Sequence, residues 1–285
     1  MQKASTFHDE CGYSVLFCDR ARADGNIPTA PTGTMAEHGF SAQHLRTVAS
    51  ELPAGMAEII ELNPLLPEGE HEADDACVLL VRNTNKASPN DSLEEVKTLQ
   101  FDTFGSARGK VHNARSRHLV YLSTDGSHAP NATTGEHTVV DFSSLPALNR
   151  ARLFATGLLG TEDCNSGCAI KYPNIVKCGI GWHGDGERRQ TIIYRLGNSS
   201  VTHPLCFQWY LRGLPIGKPW PIVLNHGDMA IASEKAVGTD WKLRNVPTLR
   251  HATGFLGQGP IPLPTSNAAK RAAKRGREAI GVGNW

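Results

Sequence analysis

Nowhere in its 285 residues does the chain run through the roughly 18 consecutive apolar residues that a membrane-crossing helix needs. The opening stretch from Met1 to Arg22 has no apolar core of a secretory leader. A dominant charge is missing as well. Against 29 Lys and Arg stand 28 Asp and Glu, a formal net charge of +1, so the whole molecule has no pull toward nucleic acid or an anionic surface. Any basic contact surface has to be local. The seven cysteines are an odd number in a long chain, which fits reduced thiols better than a disulfide framework. There is no internal repeat. These absences predict an intracellular protein, cytoplasmic or nuclear. The length suffices for one large or two small domains, and 40% hydrophobic with 20% charged residues is an ordinary globular balance.

Residues 1 to about 35 are polar and rich in Gly, Pro and Thr, and predict an irregular start. Ser41 suits an N-cap for the helical spacing of residues 42–52, which Pro53 closes. Residues 76–81 read as a short buried strand, and residues 91–96 as the start of a helix with a capping-box pattern. Arg108, Lys110, His112, Arg115, Arg117 and His118 form a basic segment leading into a strand at 119–122. It serves either as a solvated loop or as a lip that positions phosphates. Residues 145–154 look helical, with Gly157 and Gly160 near the end.

From Cys168 onward the pattern changes to short apolar strands broken by Gly, Pro and Asn, at 169–172, 179–182, 191–196, 205–210, 222–224 and 229–232. That spacing suggests an antiparallel barrel or sandwich. The final segment carries Lys270, Arg271, Lys274, Arg275 and Arg277, either a solvated tail or a nuclear address or nucleic-acid contact. The expected organisation is an α/β extension over 1–115 packed on the core, a sheet-rich domain over 116–262, and a basic tail over 263–285.

The chemistry concentrates at Gly181-Trp182-His183-Gly184-Asp185-Gly186. Two residues apart at a strand end, His183 and Asp185 project to one side. With a second histidine they make the two-histidine, one-carboxylate set that holds Fe(II) and leaves coordination positions open. His251 is the expected third ligand, because 68 residues and several strands separate it from His183, so two distant strands can meet at one site. His203, beside Pro204 in a loop, reads as a surface residue, and His226 as part of a tight turn. All three ligands must bind deprotonated, so activity is expected to fall as pH drops through the histidine range. Cys164 and Cys168, with Cys178 and Cys206, offer a zinc alternative, although no second close pair accompanies them and buried thiols are expected.

Residues 172–254 resemble the catalytic domain of AlkB-like 2-oxoglutarate/Fe(II) dioxygenases. The resemblance rests on Tyr172 ahead of His183-Gly184-Asp185, the turn through Glu187-Arg188-Arg189, and Ile193-Tyr194-Arg195-Leu196-Gly197. Phe207-Gln208-Trp209 and Asn225-His226-Gly227-Asp228-Met229 followed by Ser233 complete it. Residues 1–115 resemble nothing comparable. The resemblance implies an α+β fold, a double-stranded β-helix (jelly-roll) core with N-terminal helices packed on it. It further implies Fe(II) on His183, Asp185 and His251, with 2-oxoglutarate and O2 as co-substrates and Tyr172 bonded to the co-substrate. Oxidation would yield succinate, CO2 and a hydroxylated base, or formaldehyde where an N-methyl group is hydroxylated. Trp182 and Trp209 are expected to wall the pocket. The family's arginine after the distal histidine, which anchors 2-oxoglutarate, is missing: none follows Arg250 until Arg271. Arg195, Arg244, Arg250 or Arg271 can take its place, since a guanidinium is the natural carboxylate clamp. Nucleic acid is the expected partner, through Arg108, Lys110, Arg115, Arg117 and the tail from Lys270 to Arg277. The alternatives are the same chemistry on a protein side chain or small metabolite, a ligand-binding barrel without turnover, and a zinc hydrolase.

Overall fold

Strand β1 (Gly12–Cys18) shows how the sheets are built. Its residues alternate sides: Tyr13, Val15 and Phe17 join one apolar core, while Ser14 and Leu16 line a cavity on the other face. The structure, a computed structural model, describes residues 11–254 apart from 22–31, 68–72, 83, 108–109, 176 and 198–202. The other strands are β2 (Ala57–Glu61), β3 (Cys77–Val81), β4 (Phe104–Ala107), β5 (Lys110–Asn113), β6 (His118–Ser123), β7 (Val139–Asp141) and β8 (Ser166–Tyr172). They continue with β9 (Ile180–His183), β10 (Thr191–Leu196), β11 (Leu205–Leu211), β12 (Leu214–Ile222), β13 (Met229–Ala232) and β14 (Thr248–Thr253). The α-helices are α1 (Ala42–Glu51), α2 (Pro89–Thr98), α3 (Pro146–Leu159) and the single turn α4 (Glu234–Val237). The fold is mixed α/β and rich in strand. No helix among the described residues is long and apolar enough to cross a membrane.

Eight strands form one sheet in the order β2-β3-β13-β10-β1-β8-β6-β7, and four form a second in the order β12-β11-β14-β9. One face of the large sheet, including Phe17, Leu79, Ile192 and Ile231, packs against Leu45 and Val48 of α1 and Leu148 and Ala151 of α3. The opposite face faces the small sheet: Val78, Leu80 and Ala230 share a core with Phe207, Trp209 and Leu249. Helices, large sheet and small sheet are therefore three successive layers, and the space between the two sheets holds the site described below.

The helix ends follow local chemistry. The Ser41 hydroxyl accepts from the His44 amide at 3.1 Å and opens α1 as its sequence predicts. Leu145, at the start of α3, has no capping side chain, and Glu95 of α2 supplies one instead. Its carboxylate accepts from the amides of Ala147 and Leu148 at 3.1 and 2.7 Å, an anion at a helix N-terminus. Gly160 ends α3 in the left-handed conformation that its lack of a Cβ permits.

Three expectations need correcting. The first 115 residues are not an extension laid on a core: β1 pairs with both β10 and β8 in the middle of the large sheet, and β2 and β3 continue that sheet through β13. The run Tyr13-Ser14-Val15-Leu16-Phe17 carried this signal, although polar residues surround it. The basic segment is not all loop, since β5 pairs with β4 as an exposed hairpin. Residues 214–222 form a full strand despite Pro215, Pro219 and Pro221, because β12 is an edge strand where missing amides cost little. Arg108, Arg271 and the tail from Lys270 to Arg277 lie outside the described residues.

The central place of β1 sets a test. Phe17 is fully buried, with the rings of Phe142 and Tyr194 at 6.1 and 6.3 Å. Phe17→Ala is expected to lower unfolding stability by about 3–5 kcal/mol, read from urea melts. A loss under about 1 kcal/mol would mean that β1 does not hold the sheet together.

Candidate metal centre

The site is built by two strands that lie far apart in the chain. In the antiparallel pair β9–β14, His183 sits opposite His251, while Thr253 sits opposite Ile180. The register therefore slips by one residue, a bulge on β9. Without the slip, residues three apart would point to opposite faces; with it, Ile180 and His183 both line the cavity between the sheets. On β14, His251 and Thr253 share that inner face.

The two imidazole rings meet edge-on with centroids 4.3 Å apart. His183 Nε2 is 3.6 Å from Asp185 Oδ1, and His251 Nε2 is 3.7 Å from Asp185 Oδ2. One ligand atom from each of the three side chains falls within 4.8 Å of the others, a spacing that can hold a metal ion. The second ring nitrogens are occupied. His183 Nδ1 lies 2.8 Å from the Gly181 carbonyl oxygen, which can only accept, and the backbone of Ala236 hydrogen-bonds the His251 ring. These bonds fix the tautomers and turn both Nε2 atoms toward the carboxylate, the usual outer support of metal-binding histidines.

Asp185 is held by the segment that follows β13. Its amide donates to the Val237 carbonyl at 3.1 Å. A Cβ on Gly184 would run into the Gly238 carbonyl and the Trp241 side chain, so only glycine lets the turn pass so close. Asp185 is buried, its side chain 8% exposed. Burial opposes its ionisation, but the Arg188 guanidinium, 3.7 Å away, and the two imidazoles outweigh burial and hold its pKa below the usual carboxylate range. Arg188 also donates to Glu187 at 2.6 Å and to the Ala21 carbonyl at 3.2 Å. Burial and the neighbouring His183 ring push His251 down to about 4, against the pull of Asp185.

A cavity of about 220 Å³ extends from these ligands between the sheets. Tyr172 and Arg195 line it as expected, while Arg244 and Arg250 do not. Arg250 alternates to the outer face of β14, where its guanidinium lies 4.1 Å from the Tyr210 ring and 5.2 Å from the Trp241 ring. Arg244 is exposed and donates to the Arg212 carbonyl. The tryptophans also face elsewhere: Trp182 packs with Cys206 and Tyr210, and Trp209 donates to the Leu62 carbonyl inside the inter-sheet core. His226 accepts from the Gly197 amide and contacts Asn90, far from the ligands in its bonding. His203 is fully buried instead of lying at the surface. All seven cysteines are free, and none joins a metal-binding cluster among the described residues.

Arg117, half-buried, lines both this cavity and an adjoining groove of about 630 Å³ that is also bordered by His112, Arg115, Phe104 and His137. Lys110 is exposed on the neighbouring β5. The carbonyl supports at Gly181 and Ala236 were invisible in the sequence, because a backbone acceptor has no residue signature. Arg188 was visible three residues after Asp185, yet nothing in its spacing alone assigns it a partner.

No family model matches the sequence. The chain is 34% identical over 246 residues to uncharacterized protein R156 of Acanthamoeba polyphaga mimivirus, covering 85% of this chain and 94% of the viral protein. The chain belongs to the same family as R156. The match takes in most of both chains.

Two histidines, His203 fully buried and His251 half-buried, give the fold a pH signature. Burial and Arg195 push His203 down to about 3, and His251 stands at about 4, while both titrate near 6.5 in an unfolded chain. Below about 6.5 the unfolded state holds more protons, so stability is full above that value and is lost as pH falls toward the folded values. The unfolding free energy of metal-free protein, read from urea melts, is expected to drop between about pH 7 and pH 5, by up to about 1.4 kcal/mol per pH unit for each proton taken up, and the urea midpoint with it. A midpoint that does not change over that range would contradict neutral burial of the two rings.

Proposed function

We propose that the protein is an Fe(II)- and 2-oxoglutarate-dependent dioxygenase of the AlkB-like kind, hydroxylating or demethylating a nucleic-acid base. In this reading the two facing sheets are a double-stranded β-helix, with the metal ligands at its open end. The observation that carries it is the convergence of His183, Asp185 and His251, with both imidazoles already turned toward the carboxylate by backbone acceptors. The donor set fits Fe(II): two imidazole nitrogens and one carboxylate leave positions open for a chelating co-substrate and oxygen. Bound there, Fe(II) supplies oxygen activation coupled to conversion of 2-oxoglutarate into succinate and CO2.

The co-substrate also has a place. Arg195 is 1% exposed, its Nε has no hydrogen-bond partner, and among the described residues no carboxylate pairs with it. An uncompensated buried cation is costly, and an incoming carboxylate would relieve that cost. Arg195 lies 3.4 Å from Thr253 Oγ1, and Thr253 is two residues past His251 on the same strand. Two residues of strand advance about 6.6 Å, close to the reach of a five-carbon diacid from a metal on His251 to a distal clamp. Arg195 therefore replaces the arginine missing after the distal histidine. Tyr172 packs at the same end, and its hydroxyl bonds with Ser14. The base would enter from the adjoining groove, unstacked from its neighbours, with Arg115 and Arg117 toward the phosphates.

Anaerobic addition of Fe(II) and 2-oxoglutarate is expected to give a weak visible charge-transfer band, and air should then release succinate. Asp185→Ala is expected to abolish both. Single-stranded oligonucleotides should bind more weakly as salt rises, with Arg117→Gln lowering the log–log slope by about 0.7. Absence of both the band and succinate would sink the oxygenase reading; salt-insensitive oligonucleotide binding would sink the nucleic-acid part.

A further inference from the structure

His203 Nδ1 lies 3.0 Å from Arg195 Nη1, and the His203 carbonyl oxygen accepts from Nη2 at 3.1 Å. On the other side of the ring, Nε2 is 3.2 Å from the Cys178 carbonyl oxygen. A carbonyl only accepts, so Nε2 carries the proton and Nδ1 is left as the acceptor for Arg195. The two bonds thus select one neutral tautomer. The ring is clamped further by Tyr172, whose centroid is 4.1 Å away, and by the backbone of Gly254, where a Cβ would stand 3.1 Å from Nε2. A guanidinium is donor-only and keeps its charge. The usual buried partner would be a carboxylate, which orients the guanidinium but also cancels that charge. A neutral imidazole orients it and cancels nothing.

We propose that His203 is a positioning residue that holds Arg195 as an oriented, uncompensated cation reserved for the distal carboxylate of a dicarboxylate co-substrate. This rests on the dioxygenase reading, and it predicts that the nature of the partner at 203, not merely the presence of one, sets co-substrate affinity. Burial and Arg195 keep His203 neutral through the working pH range, which is what the role requires.

The test is calorimetric binding of 2-oxoglutarate to full-length protein loaded with Mn(II), beside pyruvate, a 2-oxo acid that lacks the distal carboxylate. His203→Asn keeps a neutral acceptor and is expected to bind 2-oxoglutarate within about threefold of the wild type. His203→Asp supplies a salt bridge that would satisfy a purely structural role, yet it is expected to weaken 2-oxoglutarate at least about tenfold while leaving pyruvate unchanged. His203→Leu, with no acceptor and no charge, is expected to weaken 2-oxoglutarate likewise and serves if the Asp variant does not fold. Equal 2-oxoglutarate affinity in wild type and the folded Asp or Leu variant would overturn the role of His203 alone. Wild-type protein that binds no 2-oxoglutarate would overturn the dioxygenase reading and this role with it.

Discussion

The pairing of β9 with β14 governs the site. His183 and His251 are cross-strand neighbours, so their rings meet whatever the rest of the chain does. The one-residue slip in that ladder then decides what else shares their face, by turning Ile180 inward beside His183. A regular ladder would send one of those side chains to the outer surface, where Trp182 and Tyr210 pack. The turn after β13 depends on the same geometry, since Val237 and Gly238 reach the His-Gly-Asp loop only because Gly184 leaves room. One cross-strand pair and one glycine thus bring together three candidate ligands drawn from a strand, a turn and a second strand.

Two buried arginines divide the electrostatics of the cavity. Arg188 is matched: Asp185 and Glu187 lie beside it, and its charge holds Asp185 ionised at any ordinary pH. Arg195 is unmatched, bonded to a neutral ring, a carbonyl and a hydroxyl. Burying a cation without a counter-charge costs several kcal/mol, a cost that stable folds avoid unless a ligand completes the site. The contrast within one cavity argues that the first arginine belongs to the protein's own scaffold and the second to what the cavity receives.

Much of the centre was legible in the sequence because its signals are local. His-Gly-Asp at a strand end, and a second histidine on a later strand, follow from alternation and from chain distance. The cap at Ser41 and the end at Gly160 were legible for the same reason. What escaped was set by partners distant in sequence. The run of residues 12–18 is an unremarkable apolar stretch until β8 and β10 flank it. The prolines of β12 argue against a strand unless the strand is known to be an edge. Loop position suggested exposure for His203, but burial there is decided by Arg195, Cys178 and Tyr172, none of them its near neighbours in the chain. Arg250 failed for the opposite reason: proximity to His251 in sequence, which in a strand places it on the other face.

In the proposed dioxygenase, the same alternation lets an anchor leave the strand of His251 without leaving the site. A distal carboxylate needs a cation at a fixed distance from the metal, and chain order imposes nothing further. Thr253 marks that distance along β14, about 6.6 Å beyond His251. The facing layer at that height is β10, where Ile193 and Arg195 point toward the small sheet while Ile192 and Tyr194 point toward the helices. Any residue of β10 with the parity of Arg195 and the same height could supply the cation, and β10 is held on both sides by β1 and β13. An arginine on a central strand gives up the freedom of a loop residue, and with it the entropy cost of being ordered when the ligand arrives. The price is a permanently buried charge, which only an uncharged and well-fixed partner such as His203 can orient without neutralising.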